Sequence, residues 1–156
     1  MTDFDFQDGN GLVPAHQHLN GGGWIAESAH VDETAYVGPD ARVFGNARVY
    51  DRARVSGRAR VYGDAWVYGN ARVFGDAAVS GNARVICGEY TLTPISITRS
   101  DAYTFTLQSD GSIIAGCRDF TEKQSRKYWG DPGHHMHHES IAIVDALYAI
   151  SEARKK

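Results

Sequence analysis

The chain of 156 residues suits one domain, or a repeat body with a small appendage, and its 42% hydrophobic content is enough for a core. A formal net charge of −3 argues against a general nucleic-acid or membrane binder. Seventeen glycines exceed the usual share of roughly 7%, yet only four prolines accompany them, which speaks for architecture over disorder.

The start, "MTDFDFQDGN", is acidic and has no apolar h-region, so no secretory signal is expected. No stretch approaches the ~20 apolar residues of a membrane span. Cys87 and Cys117 are too few for a disulfide framework or a cysteine-built zinc site, and are expected as two buried, reduced thiols. A cytoplasmic protein fits these features.

From Trp24 the sequence becomes periodic. Val stands at positions 31, 37, 43, 49, 55, 61, 67, 73, 79 and 85, with Ile25 one unit earlier. Ala stands four places after each of these up to Val79, from Ala29 to Ala83. Gly falls two places after Val at 45, 57, 63, 69, 75 and 81, often followed by Asn or Asp. A six-residue period does not fit one helical face, but it is a multiple of two, so on a strand Val and the preceding Ala point to one side. Gly-Asn and Gly-Asp are turn dipeptides. Each unit is therefore a short β-segment and a corner, with Ala and Val inward and the residues between them outward. Such periods mark β-solenoids.

Eleven consecutive units, from Trp24 to about Gly88, resemble the left-handed parallel β-helix of hexapeptide-repeat proteins. The resemblance implies three units per triangular coil and about 3.5 coils. The front stretch "HQHLNGGGWIAESAHVDETAYVGPDARV", together with the tail, is similar to phage and prophage hexapeptide proteins that carry a short C-terminal α/β module. That likeness implies a homotrimer in the cytoplasm of a bacterial host.

The repeat stops at Tyr90. "YTLTPISITRSDAYTFTLQSDGSIIAGCRDF" reads as strands, with a hairpin at Ser109-Asp110-Gly111. Thr121 and Gln124 form a capping-box signal for a short helix, which Gly130, Asp131, Pro132 and Gly133 break. Residues Glu139 to Arg154 read as a final amphipathic helix. The expected organisation is an N-terminal segment over 1–23, a left-handed β-helix over 24–88, and a C-terminal α+β module of two or three strands and two helices over 89–156. The fold class is mainly β.

Stacking residues ~18 apart sorts the outward positions into three columns. One carries Arg42, Phe44, Arg60, Tyr62, Ala78 and Ser80. A second carries Arg48, Tyr50, Trp66, Tyr68, Arg84 and Ile86, and is the most apolar, so it is the expected trimer contact. The third carries Tyr36, Arg54, Ser56, Arg72 and Phe74. Arginine beside aromatic rings offers forks for phosphate and a face for stacking, though arginines also simply keep exposed strands soluble. In the tail, Arg99 and Arg118 interrupt apolar strands, where an unpartnered charge is costly. Ser100 and Thr104 would add neutral hydrogen bonds, and Tyr128 or Trp129 could close over a ring. The expected ligand-binding residues are Arg99, Ser100, Thr104, Arg118, Arg48, Arg84, Tyr128 and Trp129, in pockets between subunits.

No catalytic residues, cofactor or metal are expected. "HHMHH" (His134, His135, His137, His138) is rich in imidazole, but adjacent histidines on a loop cannot all face one ion. Acyltransferases with this solenoid use a histidine base and coenzyme A near a loop that breaks the repeats. Here the repeats run unbroken and hold only His30. The function expected is non-catalytic: a homotrimeric phage-derived protein that sequesters a small anionic, nucleotide-like ligand, such as a host defence signal. An acyl-CoA-dependent acyltransferase using His16, His18 or His30 is the alternative. A structural or host-protein-binding trimer is a further one.

Overall fold

A computed structural model of the chain describes residues 2–156. They fall into two compact units, one reaching Pro94 and one spanning Ile95–Lys156. The first unit begins with β1 (Thr2–Asp5), β2 (Leu12–Gln17) and β3 (Trp24–Ala26). Two-residue strands follow at six-residue steps: β4 (His30–Val31), β5 (Tyr36–Val37), β6 (Arg42–Val43), β7 (Arg48–Val49), β8 (Arg54–Val55), β9 (Arg60–Val61), β10 (Trp66–Val67), β11 (Arg72–Val73), β12 (Ala78–Val79) and β13 (Arg84–Val85). The last is β14 (Glu89–Tyr90).

These strands stack in three parallel ladders, β3-β6-β9-β12, β4-β7-β10-β13 and β5-β8-β11-β14. Val61 pairs with Val43 on one side and Val79 on the other, 18 residues away in each direction. The result is a parallel β-solenoid of about four turns. Every Val from Val37 to Val85 in the repeat is fully buried, as are the Ala residues from Ala35 to Ala77. The apolar interior thus forms because a six-residue step returns Val and Ala to the inward side at each corner.

The coils are tied together by backbone bonds such as Tyr50 N–H to Val67 C=O at 3.0 Å and Arg48 N–H to Ala65 C=O at 2.9 Å. Two corners explain the glycines. Gly45 has φ +67°, and a Cβ there would lie 2.9 Å from the Gly63 nitrogen of the next coil. Asp51 occupies the same corner position with φ 57°, and its Oδ2 accepts the Gly69 N–H at 3.1 Å. Asx residues tolerate this region by such local bonding. The final step is one residue short: Val73 pairs with Tyr90, and Tyr90 takes the interior place that Val holds elsewhere.

Before the repeat, β1 and β2 form an antiparallel hairpin whose second strand pairs with β3. This hairpin sets Phe4 and Phe6 among Trp24, Phe44 and Tyr62, a satellite cluster outside the Val prism. Phe4 stacks on Trp24 at 4.3 Å, and Phe6 on Phe44 at 5.0 Å.

The second unit holds β15 (Ser96–Thr98), β16 (Thr104–Leu107), β17 (Ile113–Ala115) and β18 (Arg118–Phe120), then α1 (Glu122–Trp129) and α2 (His137–Arg154). The strands form one antiparallel meander in chain order. There are four rather than two or three, because Gly116-Cys117 makes a second tight hairpin, with Gly116 at φ 60°. The thiols differ from expectation too: Cys117 is exposed in that turn and Cys87 is half-buried. Thr121 and Gln124 form the capping box at the start of α1. The last helix starts two residues earlier than expected, so His137 and His138 belong to it. Phe105, Ile113, Trp129, Val144 and Leu147 make the core of this unit. No helix among the described residues is long and apolar enough to cross a membrane.

Candidate functional site

The sequence marks Arg99 as a charge inside an apolar strand, and the structure shows what receives it. Arg99 follows β15 and opens the turn to β16, closed by Arg99 N–H to Tyr103 C=O at 2.8 Å. Its side chain is only 8% exposed. Nε donates to Asp101 Oδ1 at 2.8 Å, Nη2 to Asp101 Oδ2 at 2.5 Å, and Nη1 to Ser140 Oγ at 2.8 Å. The guanidinium also lies over the Tyr103 ring at 5.0 Å. Donation from Arg99 holds the Asp101 carboxyl down to about 2.

Ser100 belongs to the same junction. Its N–H and Oγ both donate to the Glu139 carboxylate at 2.7 Å. Thr104 pairs across the hairpin with Thr98, Oγ1 to Oγ1 at 2.9 Å. The polar atoms of Arg99, Ser100 and Thr104 are therefore engaged in binding α2 to the strand turn and strand to strand. Trp129 is 2% exposed, with Phe105 at 4.7 Å and Phe120 at 4.5 Å, so it serves as core.

Arg118 and Tyr128 behave differently. Arg118 Nη1 donates to the Tyr128 hydroxyl at 3.1 Å, and its guanidinium lies 5.5 Å from the Tyr128 ring centre. Both line an open groove of about 680 Å³ together with Phe120, Lys127, Asp131 and His134. Asp119 adds a second carboxylate, while Asp131 Oδ1 already accepts the Gly133 N–H at 2.8 Å. Tyr128 stays 38% exposed, with the His134 ring edge-on at 4.5 Å. Lys127 forms no ion pair among the described residues. The groove thus combines two cations and two carboxylates with two ring faces. Arg99, Ser100 and Thr104 do not line it.

On the solenoid, β7, β10 and β13 place Arg48, Trp66 and Arg84 in register. The two guanidinium groups cover the Trp66 ring at 5.0 and 4.7 Å. Arg48 also lines a smaller hollow of about 470 Å³ with His30, Tyr50 and Asp64. The residues expected from sequence thus divide: Arg99 and Ser100 at the α2 junction, Thr104 in the hairpin, Trp129 in the core, Arg118 and Tyr128 in the groove, and Arg48 and Arg84 in the second column.

A further groove, of about 610 Å³, went unread in the sequence. It needs the β1–β2 hairpin, which brings Phe4 and Gln7 beside Trp24, Arg42 and Arg60. The turn signal "DGNG" at 8–11 between two alternating stretches is what could have revealed that hairpin.

Two histidines carry carboxylate partners. His16 Nδ1 lies 2.8 Å from Glu27 Oε1, and His30 Nε2 lies 3.2 Å from Asp32 Oδ1. His18 is buried, and its Nε2–H donates to Ala35 C=O at 3.0 Å. His134 Nδ1–H donates to the neighbouring His135 carbonyl at 2.7 Å. Among the described residues no three His, Cys, Asp or Glu side chains gather where they could hold a metal ion.

A family model described as the YdcK beta solenoid repeat matches residues 53–69 and 65–80, inside the stacked coils. Comparison with curated proteins and with solved structures gives no match. Sequence period, strand register and family model agree on a β-solenoid repeat protein.

Proposed function

We propose that this β-solenoid repeat protein is a non-catalytic binding protein that holds a small anionic, nucleotide-like ligand in the Arg118–Tyr128 groove. The observation that carries the reading is the guanidinium of Arg118 fixed beside the Tyr128 ring at the wall of a groove of about 680 Å³. Small-molecule pockets commonly span ~300–1,000 Å³ and combine ring surfaces with a few placed polar groups. Here Phe120 and Tyr128 offer faces for a planar base, while Arg118 and Lys127 offer charge for phosphate. Sequestration of a host defence signal by a phage-derived homotrimer in the bacterial cytoplasm would make such a site useful without chemistry. The second column, with Trp66 between two arginines, is the face this reading gives to self-association.

Calorimetric titration with nucleoside mono-, di- and cyclic phosphates tests the assignment. A charge-assisted contact to phosphate contributes roughly 1.5–3 kcal/mol, so Arg118→Ala should weaken binding ~10-fold or more. Arg48→Ala, in the solenoid, should bind as wild type does. Wild-type protein that binds none of these compounds removes the reading. The acyltransferase alternative rests on His16, whose Nδ1 is held by Glu27 and whose Nε2 is left to act as a base. It requires turnover of acetyl-CoA that His16→Ala abolishes.

A further inference from the structure

We infer that the groove between the β1–β2 hairpin and the first solenoid ladder is a second anion site, one that takes a phosphate monoester carried on a planar apolar body. Two like charges stand in register on one ladder. Arg42 and Arg60 are direct partners on the parallel strands β6 and β9. Neighbouring strands lie ~4.8 Å apart, and like charges set opposite each other repel.

The equivalent pair on another ladder shows how such repulsion is usually relieved. Arg54 and Arg72 are also in register, but Arg72 is paired with Glu89 at 2.7 Å and Arg54 lies over the Tyr36 ring at 4.8 Å. Arg42 lies over the Phe4 ring at 5.4 Å, but among the described residues no acid pairs with Arg42 or Arg60. Arg42 Nη1 donates to two neutral oxygens, Phe6 C=O and Gln7 Oε1, both at 3.2 Å. The Arg60 side chain is exposed and makes no ion pair or hydrogen bond among the described residues.

The carboxylates near them leave a positive balance. Asp76 is bound to Arg58, Nε to Oδ1 at 2.8 Å and Nη2 to Oδ2 at 2.9 Å. Asp40 lines the groove without an ion pair among the described residues. Two guanidinium groups therefore face one free carboxylate. Gln7 holds φ 60°, a left-handed conformation unusual for a side chain of its size, and its amide oxygen meets Arg42. Its amide NH₂ group stays free to donate to the same ligand.

The class of anion follows from the spacing. A carboxylate fills one guanidinium fork, whereas three phosphate oxygens can accept from two forks on adjacent strands. The apolar body follows from Trp24, which is in register with Arg42 on the same ladder, is half-exposed and stacks on the Phe4 ring at 4.3 Å. This site is separate from the Arg118 groove and stands or falls apart from it.

The test is an NMR titration of the ¹⁵N-labelled chain with phenyl phosphate and, separately, with inorganic phosphate. The chain has three tryptophan indole signals to follow, and loss of one in Trp24→Phe assigns Trp24. Phenyl phosphate should move the Trp24 indole saturably and leave Trp66 in place. Arg60→Gln should weaken this at least tenfold, while Arg72→Gln and Arg118→Ala should match wild type. Inorganic phosphate, followed at the Arg42 and Arg60 amides, should bind more weakly than phenyl phosphate. A Trp24 signal that does not move, or an Arg60→Gln variant that binds like wild type, overturns the site. Equal affinity for the two phosphates overturns the planar body.

Discussion

The two units of this chain reach order by opposite means. In the solenoid, strands of two residues would be too short to persist alone, and each is held by backbone bonds to the coil or coils next to it. Its interior contains only aliphatic side chains until Tyr90 closes the end. Ion pairs such as Arg58–Asp76 lie on its surface, where they add little. In the C-terminal unit a buried guanidinium does part of the joining: Arg99 links the β15–β16 turn to α2 through Asp101 and Ser140. Repetition makes the first unit's contacts local, alike and apolar, whereas the second depends on a few polar contacts that occur once. The first should tolerate loss of any surface charge, and the second should not tolerate loss of Arg99.

The largest effect expected from this difference is at Val61, fully buried at mid-ladder between Val43 and Val79. Val61→Asp puts an unpaired carboxylate among aliphatic groups and should cost several kcal/mol. Thermal unfolding followed by circular dichroism would show the loss, and a variant that melts with wild type would contradict the inward assignment.

Arg99→Ala should cost less, about 2–3 kcal/mol, by removing charge-assisted bonds to Asp101 and Ser140. The loss should be confined to one unit. Hydrogen exchange should accelerate at the amides of β16 and α2, while the Val-ladder amides keep their protection. Acceleration spread equally over both units would break the contrast.

Acid should produce a smaller and graded version. Asp101 titrates at about 2 when folded, below its ordinary 3.8, because Arg99 donates to it. Its contribution is therefore complete above the unfolded value and fades as pH falls from ~4 through 2. Protection in the C-terminal unit should drop across that window in wild type, and the drop should shrink in Asp101→Asn. The same slope in both proteins would assign the acid sensitivity to other groups.

The same contrast explains what could be read from the residues alone. The solenoid was legible because one inward rule recurs in every unit, so each Val confirms the register of the next. Tyr90 escaped because the last step is five residues, which breaks the count while keeping the burial. The β1–β2 hairpin escaped because its Phe4 and Phe6 meet Trp24 and Phe44, partners far off in sequence and outside any period. Arg99 announced by its setting that it needed a partner. Nothing local revealed that Ser140, 41 residues on, would be one of them. Arg118 and Tyr128 could be named singly, but their shared groove required α1 to pack beside β18.

Native mass spectrometry of the full chain, incubated with a mixed nucleotide and acyl-CoA panel, tests the central claim most directly. The expected result is a trimer carrying up to three copies of one nucleotide whose mass is unchanged after release by denaturation. Protein that retains no nucleotide, or that converts acetyl-CoA to free coenzyme A, would contradict it.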